Sequence, residues 1–337
     1  MKRKRNLLAI GLVALGLILI TVSFIACGCS LENIDGGDGD MRTFEISESF
    51  NEIYVDISDA DLTFVSTDEE SVRVVCENEK KKLSHSAEVK DGRLEISLND
   101  ERKWYDYLTF SFKTPRIFVY LPEVEYASLL IKSDTGDIVI PENFKFDTVD
   151  VSLSTGDVDF RASANDFIKI SASTGDVELS GVSAKSIDVS LSTGDVELEN
   201  CEAEGISIKT TTGDIEAAGL RIDGAFSTKV STGDTELSDV ICKSYTSEGS
   251  TGEITLNRFV CEGLMSIERD TGNVTLRDSD AGEILIETDT GDVSLELRSE
   301  KVFITNTDTG RIRVPESTSG GKCKVTTDTG DISATYK

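Results

Sequence analysis

The tripeptide Thr-Gly-Asp, with Glu, Asn or Arg sometimes in its last place, recurs along most of this chain. Its glycines are Gly136, Gly156, Gly175, Gly194, Gly213, Gly233, Gly252, Gly272, Gly291, Gly310 and Gly330. Successive glycines lie 19 or 20 residues apart without exception. No other feature constrains the fold as much. A unit of that size cannot enclose a core alone, so the units must stack and bury one another's faces. Glycine in every copy fits a turn that needs positive φ. The Ser or Asp two residues before it and the Asp after it can bond to backbone within such a turn.

The apolar residues around each glycine show how many turns a unit contains. Val177 and Leu179 alternate with polar neighbours, as do Val182 and Ala184, then Ile187 and Val189. Alternation is the period of a half-buried strand. Between pairs the parity slips by one residue, which would turn the apolar set outward unless the chain rounds a corner. Three slips per unit imply three corners and three short strands. The expected fold is all-β: a three-faced parallel β-solenoid of about eleven 19–20-residue coils, on the order of 50 Å long at ~4.8 Å per coil. Glycine and β-branched residues at this density argue against helices.

Residues 42–126 lack the tripeptide but are rich in strand patterns, with a hairpin signal at Asp91-Gly92. They read as an irregular β lead-in covering the first edge of the solenoid, which occupies residues 127–337. Residues 1–5 are a basic flank and residues 6–29 an uncharged, mostly apolar stretch, long enough to span a membrane as one helix. The positive-inside rule then keeps the flank in the cytoplasm and puts the rest outside the cell membrane. Ile25-Ala26-Cys27 is also similar to a lipoprotein processing site, which would anchor the chain through Cys27. Residues 30–41, rich in Gly and Asp, read as a flexible linker. At the other end the chain stops seven residues after Gly330, so the last coil, around Ile332, reads as an open edge available for self-association.

Charge narrows the partners. The chain has 34 Lys and Arg against 62 Asp and Glu, a net −28. Four of those cations lie in the flank, so the exported part is more acidic still. This disfavours nucleic acid and anionic lipid surfaces. The chemistry of catalysis is sparse. The one histidine, His85, lies in a polar stretch and reads as an inert surface-loop residue. No Cys or His spacing suggests a zinc site, and no phosphate-binding loop is present. Cys201, Cys242, Cys261 and Cys323 fall at inward positions. Cys242 and Cys261 share an offset in neighbouring coils, so they could form a disulfide or remain buried thiols. Trp104, Tyr105 and Tyr107 could stack on a sugar or belong to the core of the lead-in. Asp134, Asp137, Asp289, Asp292, Asp328 and Asp331 form Asp-Thr-Gly-Asp clusters. Their first reading is turn chemistry with solvated carboxylates. Their second is a Ca²⁺ ladder along one edge, since stacked carboxylates repel and a divalent cation relieves that. No catalytic residue and no resident cofactor is expected.

The phrase Ser-Thr-Gly-Asp-Val-(Glu/Asp)-(Leu/Phe), at Ser154–Phe160, Ser173–Leu179 and Ser192–Leu198, resembles the bacterial "putative adhesin" β-strand-repeat family. So do Gly92–Ile96 and Val119–Pro122 of the lead-in. The resemblance covers about residues 42–337. It implies a surface or envelope role, as some relatives are membrane-anchored proteins encoded near cell-envelope stress systems, and brings no catalytic residue. The expected function is therefore a non-enzymatic envelope rod that binds or scaffolds an envelope polymer or protein. The alternatives are a module that self-assembles through its C-terminal edge and a carbohydrate-active β-helix enzyme. The constant period leaves no room for the long loops such enzymes carry.

Overall fold

The computed structural model describes residues 40–69, 71–79, 83–100 and 114–337. The basic flank, the apolar stretch, Cys27 and most of the linker lie outside the described residues, as does the Trp104–Tyr107 patch. Every regular element described is a β-strand, thirty in all, and no described helix is long and apolar enough to cross a membrane.

Each coil repeats one path. The short strand Val177–Ser180 lies parallel to Val196–Glu199, with Val177 beside Val196 and Leu179 beside Leu198. The long strand Ser183–Thr193 lies parallel to Glu202–Thr212, pairing Ile187 with Ile206 and Val189 with Ile208. Like residues stack on like because the coils are equal in length. In the coil that ends at Gly233, the twentieth residue enters between Ile222 and Phe226, opposite the start of Glu202–Thr212. The offset of 19 at Glu202–Arg221 has become 20 at Ile206–Phe226. Val177, Leu179, Val182, Ile187, Val189 and Leu191 are all buried, so parity slips where the sequence places its corners.

Two backbone devices make the corners. At nine of the eleven repeat glycines, all but Gly291 and Gly310, φ is positive, from 123° at Gly136 to 157° at Gly330. Close stacking adds a second requirement: a Cβ on Gly194 would lie 2.0 Å from the carbonyl oxygen of Gly175. The next corner holds a left-handed residue in six successive coils, at Gly181 (φ 67°), Asn200 (52°), Gly219 (70°), Asp239 (55°), Arg258 (53°) and Asp278 (47°). Gly, Asn and Asp tolerate that region best, which explains all of these but Arg258.

The lead-in differs from the sequence reading in one respect. It contains a true coil. Glu52–Asp59 stacks in parallel on Glu125–Thr135, and Asp61–Thr67 on Ile138–Ile140. Ala60 occupies the glycine position, its N–H donating to Thr135 O at 3.1 Å. This is the first tight turn of the stack. No earlier glycine turn lies where the Cβ of Ala60 points, so alanine fits. The remainder caps the rod. Arg93–Asp100 and Arg116–Pro122 add parallel strands beyond that coil. Antiparallel strands then close them off, Leu83–Lys90 on one and Val72–Glu79 on the other. The hairpin at Asp91 (φ 52°) and Gly92 (φ 79°) forms as its residues suggest.

The far end corrects the expectation of an open edge near Ile332. Stack order there is not chain order. Val274–Thr290 pairs with Gly321–Thr329, which pairs on its other side with Lys301–Thr309. Likewise Val293–Leu297 pairs with Ile332–Tyr336, and that strand with Ile312–Arg313. The C-terminal coil is thus inserted between the coils of Gly291 and Gly310, and Ile332 is fully buried. The terminal coil of the rod is Lys301–Arg313, with Ile304 51% and Ile312 43% exposed. The carboxyl end of the chain is tied inward: Lys301 N–H donates to Tyr336 Oη at 3.1 Å, and Lys337 Nζ lies 3.0 Å from Asp278 Oδ2.

Candidate functional site

The aspartates after the repeat glycines form a continuous ladder. Asp157 N–H donates to Asp137 Oδ1 at 3.0 Å, Asp176 N–H to Asp157 at 2.8 Å and Asp195 N–H to Asp176 at 2.8 Å. The pattern runs on through Asp214, Asp234 and Glu253. Asn273 substitutes at its level, its Oδ1 accepting from Asp292 N–H at 2.9 Å. Asp331 N–H, on the inserted coil, then donates to Asp292 Oδ1 at 2.7 Å. Arg311 ends the ladder with its N–H and guanidinium on Asp331, which holds that carboxyl below its ordinary range. Each carboxylate thus spends one oxygen on an amide of the following coil. Of the Ca²⁺ candidates, Asp137, Asp292 and Asp331 stand in the ladder. Asp134, Asp289 and Asp328 sit exposed two residues before the glycine. Among the described residues, none of the six belongs to a set of three His, Cys, Asp or Glu donors within 4.8 Å of one another.

A second charged line follows the left-handed corner. Arg258 grips Asp239 through Nε and Nη2, at 2.6 and 2.5 Å, and so lowers the carboxyl's pKa. Arg298 lies 3.0 Å from Asp278. Beside this line runs a groove of about 450 Å³ whose lining includes Asn200, Arg221, Ile241, Arg258 and Arg298. The groove therefore gathers three arginines on an acidic rod. Sequence reasoning missed it because these residues fall at different offsets from the repeat glycine.

Among the described residues two cations are buried, Arg269 and Lys301, and Arg269 lies deepest. Arg269, 1% exposed, points into the core. It donates to Val230 O at 3.3 Å and Thr235 Oγ1 at 3.1 Å. Burial pushes its pKa down. Gly249 makes the space, since a Cβ there would lie 1.4 Å from Arg269 Nη1. Tyr245, Thr228 and Ser247 form a hydroxyl cluster beside it. Cys242 and Cys261 are register partners, as their offset implies, and are present as free thiols.

His85 corrects the reading of a surface-loop histidine. It lies on the strand Leu83–Lys90 and is 2% exposed. Cys76 and Glu79 come from the neighbouring strand Val72–Glu79 and are 1% and 5% exposed. Asn78, at φ 58°, breaks the alternation so that Cys76 and Glu79 both face inward although they are three residues apart. The thiol, carboxylate and imidazole donors of Cys76, Glu79 and His85 lie within 4.8 Å of one another. His85 Nδ1 is 3.3 Å from Glu79 Oε1, and the backbone N–H of His85 donates to the same oxygen. Arg42 Nε holds the other carboxylate oxygen at 3.1 Å. A cysteine–histidine pair suggests nucleophilic catalysis, but a nucleophilic thiol needs a lowered pKa and access. Here burial pushes the Cys76 thiol up to about 12. Burial also lowers the pKa of His85, against the opposing charges of Glu79 and Asp59. The cluster is therefore a set of neutral or paired donors rather than an activated dyad.

A family model described as Toastrack DUF4097 matches residues 50–240 and 229–337. Similar solved structures include a putative adhesin from Bacteroides fragilis NCTC 9343, at 15% identity and a TM-score of 0.38, covering 88% of this chain and 97% of that one. Another is a putative lipid binding protein from Parabacteroides distasonis ATCC 8503, at 17% identity and a TM-score of 0.44, covering 89% and 98%. A third, a putative adhesin from the same organism, has 16% identity and a TM-score of 0.39, covering 86% and 98%. No curated protein matches the chain.

Proposed function

The chain belongs to the Toastrack DUF4097 family, and on that premise we propose that it is a non-catalytic, membrane-anchored rod of the cell envelope. Its coil faces bind a polymer or protein outside the membrane. One observation carries this reading: the in-register stack runs from Ala60 to the terminal coil, with repeat coils of 19 or 20 residues. Such a stack presents long flat faces and shallow grooves, the form of a surface that engages an extended partner. The apolar stretch at residues 6–29 fits the anchor, and the acidic charge favours a cationic partner. The test uses the full chain, labelled and held in detergent, with isolated envelopes from cells lacking it. Saturable retention, weakened by salt, is the expected result, with no fragments released from wall polymers. Absence of retention contradicts the binding role. Released fragments contradict the non-catalytic one.

A second reading rests on the terminal coil Lys301–Arg313, whose outer strand edges carry the exposed Ile304 and Ile312. Two rods pairing there would cover both edges. A concentration-dependent dimer abolished by Ile304→Lys supports that reading. A monomer at all concentrations removes it.

A further inference from the structure

We infer that Cys76, Glu79 and His85 form a binding site for one zinc-class divalent ion, which clips together the two antiparallel strands of the N-terminal cap. Three observations support this. First, the donor set is thiol, carboxylate and imidazole, a combination that selects late transition ions over Ca²⁺ and Mg²⁺. Second, the geometry is close to what an ion needs. Tetrahedral zinc, with Zn–N near 2.0 Å and Zn–S near 2.3 Å, sets donor–donor edges of roughly 3.3–3.8 Å. His85 Nδ1 and Glu79 Oε1 are already 3.3 Å apart, and the thiol lies within 4.8 Å, so its sulfur has at most roughly 1 Å to move.

Third, the His85 ring makes no hydrogen bond of its own. Both ring nitrogens of His85 are buried without a hydrogen bond. A neutral imidazole carries one N–H and one lone pair, and leaving buried polar atoms unpaired is costly. A metal ion on the lone pair satisfies one of them. Arg42, on the carboxylate oxygen away from His85, orients Glu79 as an outer-shell partner does. The charges also balance: a divalent ion with one thiolate, one carboxylate and one neutral imidazole is neutral, as a buried site requires. Three protein ligands leave a fourth position for water.

Binding displaces the thiol proton of Cys76, so each ion taken up releases one proton to solvent. The groups facing the site are Arg42, Glu79 and Asp59. The site lies at the first edge of the solenoid, where it would hold the cap closed.

Co²⁺ substitution reads the site directly. The protein is the untagged full chain in detergent, with Cys27 and Cys29 changed to serine to remove the two thiols of the apolar stretch. One equivalent of Co²⁺ is expected to give a thiolate-to-cobalt charge-transfer band and tetrahedral d–d bands, displaced by Zn²⁺ but not by Ca²⁺ or Mg²⁺. Cys76→Ser should abolish the charge-transfer band, while Cys323→Ser, which changes another buried thiol, should leave it. A band that persists in Cys76→Ser, or that never forms, overturns the assignment. Should Cys76→Ser fail to fold, X-ray absorption at the zinc edge of the loaded parent decides. One sulfur among nitrogen and oxygen ligands is expected, and a shell without sulfur overturns the site.

Discussion

Gly194→Ala should destabilise the rod far more than Gly181→Ala, although both glycines sit at positive φ in the same region of the stack. At Gly194, φ is 134°, and holding an L-residue there costs about 1–3 kcal/mol. The added Cβ would lie 2.0 Å from the Gly175 carbonyl oxygen, so the two coils must part locally. Overpacking of that kind costs about 1–3 kcal/mol more. The expected loss is about 2–6 kcal/mol. At Gly181, φ is 67° and a Cβ meets nothing within 4 Å. Only the left-handed cost of about 1–2 kcal/mol applies, partly offset by the stiffer unfolded chain. Urea unfolding of the full chain, read by far-ultraviolet circular dichroism, measures both. Equal losses for the two variants would show that contact between stacked turns does not govern the glycine requirement, and the argument from coil spacing would fall.

Other outcomes follow from the same geometry. Ala60→Gly should lower stability by no more than about 1 kcal/mol, because that turn has no glycine above it; thermal melting checks this. Gly249→Ala should cost several kcal/mol by driving a methyl group into Arg269, and Arg269→Met should recover at least about 1 kcal/mol of that loss in a double-mutant cycle. The Asp239 carboxyl, whose pKa Arg258 lowers, should titrate nearer the ordinary ~3.9 in Arg258→Ala, as followed by carboxyl NMR. The sign for stability follows from the depressed folded pKa: the pair's contribution is complete above about pH 4 and fades as pH falls through the folded pKa.

The repeat glycines, the parity slips and the inward residues were legible in the sequence because each follows a strict period. The coil at Ala60 was not, since its turn reads Asp59-Ala60-Asp61 and the steric need for glycine lapses at the end of a stack. The left-handed corner at Asn200, Asp239 and Arg258 was hidden because Asn, Asp and even Arg can occupy it, so no single residue type recurs. The insertion of the C-terminal coil has no signature at all. Coils of equal length accept any neighbour, and the segment 314–320 gives the chain enough length to pass over one level. Cys76, Glu79 and His85 could not be connected from spacing, because their meeting depends on the Asn78 backbone and on how two cap strands lie together. The aspartate ladder was visible as a pattern, while the amide bonds that occupy its oxygens appear only once the coils are stacked.

Spin-label distances along the rod test the central claim, a parallel stack whose last coil in sequence is not its last in space. One label replaces Glu178, and the second replaces in turn Glu236, Ser294, Ser333 or Arg313, all at the same offset from their glycines. The account predicts separations that grow by ~4.8 Å per level, with Ser333 one level nearer to Glu178 than Arg313 is. Finding Arg313 nearer than Ser333, or distances that do not grow with level, would contradict it.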